Sequence, residues 1–186
     1  MAVRNKTYIT FHSDFTLEQK ADDVRLVRQI IDWKARDEDH VNFINAMEKA
    51  TSIADEEKQL PLVRAIKNRL AASTNFVLIM GAMVKETTPW VKFEIEWAID
   101  HCNLPVIATY IGYESILTPE KLEHHWPPAL DMRIKNGSAQ VVHIPFKDEP
   151  LKRAVGQFVH DNLPKGGLST YTKAAYDRWG LELRGT

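Results

Sequence analysis

Asn75-Phe76-Val77-Leu78-Ile79-Met80-Gly81 is a strand-length apolar run stopped by glycine, with no alternation of polar and apolar positions. A strand with one wet face alternates; a continuous run belongs to a strand covered on both sides, which parallel sheets flanked by helices provide. Shortly downstream, Thr88 is a good helix cap and Pro89 suits the first helical position, where its missing N–H costs nothing. Val91, Ile95, Ala98 and Cys102 then recur at spacings of four, three and four, the stripe of a helix that packs on a core. Strand, loop, capped helix is the repeating unit of an α/β protein.

The unit recurs along the chain. Thr7–Phe11 reads as a first strand, Leu17–Trp33 as a helix with Ala21, Val24, Val27 and Ile31 on one face, and Val41–Ile44 as a second strand. A polar stretch from Met47 to Lys58 precedes a helix expected from Leu60 to Ala72, with Val63, Ile66 and Leu70 inward. After the Trp90 helix come a fourth strand, Leu104–Tyr110, a loop-rich connection from Gly112 to Gly137, and a fifth strand, Gln140–Ile144. A helix from Pro150 to Asn162 follows, then a break at Pro164-Lys165-Gly166-Gly167 and a small helix over Tyr171–Trp179. Five strands separated by helices imply a flavodoxin-like, doubly wound parallel sheet with helices on both faces and a short C-terminal helical extension. The division expected is a main domain over 1–165 and an extension over 166–186 packed on it. No internal repeat or low-complexity tract is present.

Charge and cysteine content narrow the function. Lys plus Arg is 24 and Asp plus Glu is 25, so no overall basic field exists to hold a phosphate backbone, and nucleic acid is not an expected partner. Cys102 is the only cysteine, which excludes an intrachain disulfide and suits a reducing compartment. The N-terminus passes directly into the first strand with no apolar signal region, and the apolar stretch around Phe76–Val84 is far below the roughly 20 residues needed to span a bilayer. A cytoplasmic protein with no membrane association is expected.

Glu94 stands apart from the other acids. Its helical neighbours three and four residues away are Val91, Trp90, Trp97 and Ala98, none a cation, whereas Glu96 has Lys92 four residues before it and reads as a surface acid. Trp90, Glu94 and Trp97 form a second stripe beside the core stripe. Doubly wound sheets bind ligands at the carboxyl ends of their strands. Here that edge collects Phe11-His12-Ser13-Asp14, Asn45-Ala46 and Gly81, near the first turns of the Trp90 helix. Other chemistries lack their signatures: there is no Gly-x-Gly-x-x-Gly and no phosphate loop. Glu120, His124 and His125 lack further ligands, so no metal is expected, and Ser13 beside His12 is not a triad because adjacent residues of an extended segment point apart.

A strand ending in Phe-His, an apolar strand ending in glycine, Trp-Val-x-x-Glu-Ile on a helix and a strand of the form Leu-Pro-Val-Ile-Ala, in this order and spacing, resemble the TIR-like proteins of bacterial Thoeris anti-phage systems. The resemblance covers residues 5 to 112. It implies cleavage of NAD at the nicotinamide–ribose bond, of the NAD nucleosidase or ADP-ribosyl cyclase type, with NAD as substrate rather than cofactor and a cyclic ADP-ribose derivative as the expected signal. By the same resemblance the catalytic glutamate falls on Glu94 and the characteristic tryptophan on Trp90. Phe11, His12, Ser13, Asp14, Asn45 and Ala46 are the candidate substrate contacts. Asn45 departs from the pattern, since family members often carry aspartate there. A homo-oligomer and a separate effector protein that senses the product are the partners implied. The alternative is a TIR-like interaction or nucleotide-binding module without catalysis.

Overall fold

The computed structural model describes residues 4–12, 41–43, 56–81 and 89–183. Among these described residues six parallel strands form one sheet: β1 (Lys6–His12), β2 (Val41–Phe43), β3 (Ser73–Met80), β4 (Val106–Tyr110), β5 (Val141–Pro145) and β6 (Ser169–Thr170). Their spatial order is β2-β1-β3-β4-β5-β6, the flavodoxin-like winding with a two-residue strand added at one edge. That sixth strand is the structure's addition to the five expected. The predicted helix at Leu17–Trp33 and the cap Thr88 lie outside the described residues.

β3 is central, and seven of its eight residues are buried, as its unbroken apolar run requires. The period-two geometry of the strands splits the interior into two cores. One contains Tyr8, Phe76, Leu78, Met80, Val106, Ala108 and Tyr110. It is covered by α1 (Glu56–Ala71), α2 (Pro89–Glu96) and α3 (Pro128–Lys135) through Leu62, Ile66, Leu70, Val91, Ile95 and Leu130. The other contains Ile9, Val77, Ile79, Ile107, Val142 and Ile144, covered by Leu151 and Ala154 of α4 (Asp148–Gln157).

Several elements differ from expectation for identifiable reasons. α1 takes in Glu56–Lys58 from the stretch read as polar loop, and Leu62 rather than Val63 completes its buried stripe, four residues before Ile66 and eight before Leu70. The segment read as loop-rich holds a 3-10 helix at Pro119–His125 and α3, both opened by prolines that suit first helical positions, and it buries Ile116, Leu122, Trp126 and Leu130. α4 ends at Gln157 because Phe158 turns to extended backbone, short of the expected Asn162. The extension folds back as β6 and α5 (Lys173–Arg178), capped by the Thr172 side chain, which accepts a hydrogen bond from the Ala175 N–H.

The extension is fastened to the sheet by specific bonds. The Val141 N–H donates to the Gly166 carbonyl at 2.9 Å, and the Tyr176 hydroxyl donates to the Ile116 carbonyl at 3.3 Å. A buried relay runs across β4 and β5: the Trp126 indole N–H donates to the Tyr110 hydroxyl at 2.8 Å, which lies 2.6 Å from His143 Nδ1, while His143 Nε2 lies 2.9 Å from the Gly167 carbonyl. A carbonyl only accepts, so the His143 proton sits on Nε2 and Nδ1 accepts from Tyr110. Every polar atom of that relay is satisfied, and burial lowers the His143 pKa to about 4.

Candidate active site

α2 continues through a π-helical turn, Trp97–His101, in which the Cys102 N–H reaches back five residues to the Trp97 carbonyl at 3.1 Å. The predicted stripe survives that widening: Val91, Ile95, Ala98 and Cys102 are all buried. Burial also pushes the Cys102 thiol up from its ordinary range, which leaves it a packing residue. The turn places Asp100 where Arg133 of α3 grips it; Arg133 Nε donates to Asp100 Oδ1 at 2.8 Å, and Arg133 also donates to the Ala129 carbonyl. That contact holds Asp100 below the usual carboxylate range and fixes α2 against α3. Glu96, read as a partner of Lys92, lies 3.9 Å from the same Arg133.

With α2 so fixed, Glu94 faces β1. Its side chain has no exposed surface, at 0%. The Tyr8 hydroxyl donates to Oε1 at 2.5 Å and the Thr10 hydroxyl to Oε2 at 2.6 Å, so both carboxylate oxygens are held by one strand. Tyr8 is itself positioned by stacking on Phe76, ring centres 5.8 Å apart. A buried carboxylate is costly unless its oxygens accept hydrogen bonds, and hydroxyls at alternate positions of β1 supply them on one face.

Trp90, one turn before Glu94, is half-buried and packs edge-on against Phe93, and its buried indole N–H has no hydrogen-bond partner among the described residues. Trp97 stacks between Phe93 and His101 and lies beneath Lys67, whose Nζ is 3.8 Å from the ring centre, a structural role. Phe11 sits on the opposite face of β1 from Tyr8 and Thr10 and packs, half-buried, on the Ile9, Val77 and Ile79 core. The alternation of β1 therefore separates Phe11 from Glu94 by the thickness of the sheet. His12 pairs with Met80 at the carboxyl end of the strand, and its side chain lies outside what is described. Ser13, Asp14, Asn45 and Ala46 also lie outside the described residues.

Two site residues were missed from the sequence, Tyr8 and Thr10. The signal was present: a strand meant for burial on both faces carried hydroxyls at alternate positions, and buried hydroxyls need partners. Glu120 and His124, on the 3-10 helix, are both exposed. Among the described residues no group of three or more His, Cys, Asp or Glu is placed to hold a metal ion, and no helix is long and apolar enough to cross a membrane.

A parallel sheet in flavodoxin-like order, with a glutamate of the helix after the third strand buried against the first, defines the chain as a TIR-like α/β protein. Residues 8–115, more than half of the chain, match the family described as Thoeris protein ThsB, TIR-like domain, and the chain belongs to that family. Membership carries a role in anti-phage defence. No curated protein matches the chain.

Proposed function

We propose that the chain cleaves NAD at the nicotinamide–ribose bond and converts the ADP-ribose part into a signalling nucleotide, cyclic in form, for anti-phage defence. The observation that supports this reading is the fixing of both Glu94 oxygens by Tyr8 and Thr10, one helical turn from Trp90. A carboxylate oriented in advance is what a developing cation needs, since no reorganisation is then required at the moment of reaction.

When the bond between ribose C1′ and the nicotinamide nitrogen breaks, the electron pair leaves with nicotinamide as a neutral ring, and C1′ acquires oxocarbenium character. No strong general acid is required. Glu94 steadies that charge and orients ribose hydroxyls. Trp90 offers a flat face to an aromatic ring of the substrate. Attack on C1′ by water gives free ADP-ribose, and attack by a nucleophile of the same molecule gives the cyclic product, each with loss of one proton; exclusion of water favours the second. His12, Ser13, Asp14, Asn45 and Ala46 are proposed to complete the substrate contacts at the carboxyl edge. A homo-oligomer in the cytoplasm and a product-sensing effector protein are the partners this reading entails.

A second reading, a TIR-like interaction or nucleotide-binding module without catalysis, draws on the complete burial of Glu94, which also suits a purely structural tie between α2 and β1. One experiment separates the two. Wild type and Glu94→Gln are incubated with NAD, with and without lysate of phage-infected cells as activator, and nicotinamide is followed by chromatography. Release by wild type with a loss of at least about 100-fold in the variant supports catalysis. Equal release by both removes Glu94 from the mechanism, and no release under any condition favours the module.

A further inference from the structure

On the face of the sheet opposite Glu94, a cleft of about 650 Å³ opens between α4 and the C-terminal extension. One wall is a single face of α4, on which Glu149, Arg153 and Gln157 follow at intervals of four. The other is formed by Tyr171 ahead of α5 and by Arg178 and Trp179 at its end.

The aromatic side is held in place. The Tyr171 hydroxyl donates to Gln157 Oε1 at 3.0 Å, and Trp179 stands edge-on to Tyr171 and Tyr176 at ring distances of 4.9 and 5.6 Å. Burial pushes the Tyr171 hydroxyl up to about 12, with Arg153 close enough to pull the other way, so the phenol stays a neutral donor. The guanidinium groups are only partly used. Arg153 Nε donates to Glu149 at 2.8 Å and Arg178 Nε donates to the Ala174 carbonyl at 3.2 Å, while no described hydrogen bond uses the terminal nitrogens of either. Two arginines against one carboxylate leave the lining net positive.

We propose that this cleft is a second binding site, for an organic phosphate that carries a planar ring: the arginines take the phosphate and the Tyr171 and Trp179 side takes the ring. Its volume lies within the range of small-molecule sites, guanidinium forks match phosphate oxygens, and an indole is the strongest stacking partner among side chains. The site is separated from Glu94 by the whole sheet, and it does not depend on the chain being an NAD-cleaving enzyme.

The test is titration of the full chain, labelled with nitrogen-15, with ADP-ribose, adenosine and inorganic pyrophosphate, while the Trp179 indole and the Arg153 and Arg178 Nε signals are followed. ADP-ribose is expected to shift all three in a saturable way, at least about tenfold more tightly than either fragment. Arg153→Gln with Arg178→Gln should weaken that binding at least about tenfold, and Glu94→Gln should leave it unchanged. Both arginines are exposed, so the double variant should keep its fold, which the remaining amide spectrum reports. Static signals up to about 5 mM ADP-ribose overturn the proposal, as does equal binding of pyrophosphate or adenosine alone. Failure here leaves the Glu94 reading untouched, and failure of nicotinamide release leaves this one untouched.

Discussion

Tyr8 and Glu94, 86 positions apart in the chain, meet through a 2.5 Å hydrogen bond from the phenol to a carboxylate oxygen with no exposed surface. The bond joins the first strand to the helix after the third. It makes the candidate reaction centre and the stability of the fold partly the same thing.

Tyr8→Phe keeps the ring stacked on Phe76 and removes only the donor. A loss of about 1–3 kcal/mol in stability is expected, the cost of taking one partner from a buried, charged acceptor. Urea denaturation measures it. If Glu94 acts on NAD, nicotinamide release should fall about tenfold or more in the same variant, because the carboxylate loses its orientation.

Thr10→Val removes the second donor with nearly the same shape, and should cost about 1–2 kcal/mol. Combined with Glu94→Gln, each donor variant should show coupling of at least about 0.5 kcal/mol in a double-mutant cycle. Additive effects would mean that the hydroxyls and the carboxylate do not act on one another.

The buried His143 makes stability depend on acid. Its folded pKa of about 4 lies below the unfolded value near 6.5, so the unfolded chain binds the extra proton between those limits. The neutral ring's contribution is complete above pH 6.5 and drains away as pH falls towards 4, by about 3 kcal/mol in total. Denaturation midpoints of wild type and His143→Gln from pH 7.5 to 4 should converge as pH falls. Parallel curves would refute the assignment.

Gly167 approaches α3 closely: a Cβ there would meet Ile134 Cγ2 at 3.1 Å and the Ile134 Cα at 3.3 Å. A backbone atom cannot swing aside, so Gly167→Ala should destabilise the fold by about 1–2 kcal/mol. The same shift would pull the Gly167 carbonyl from His143, and hydrogen exchange should rise first across β6 and α5.

Much of this architecture was legible because it is written in local pattern. The apolar run at Phe76–Met80 marked the central strand, and the spacing of Val91, Ile95, Ala98 and Cys102 marked the inward face of α2. What was illegible depended on distance in the chain. Nothing near Glu94 announces that Tyr8 and Thr10 complete it, and Phe11 shares a tripeptide with Thr10 yet faces the other way, as strand alternation demands. The connection before β5 was misread because Pro119, Pro127 and Pro128 punctuate loops and open helices equally well.

The sixth strand, only two residues long, has a bearing on how copies of this chain could associate. A full-length outer strand presents a row of free main-chain donors and acceptors onto which another chain can ladder; Ser169 and Thr170 leave almost none. This border of the sheet is thereby blunted against runaway stacking, and self-association there would have to be built from side chains, which can be chosen for fit and later released.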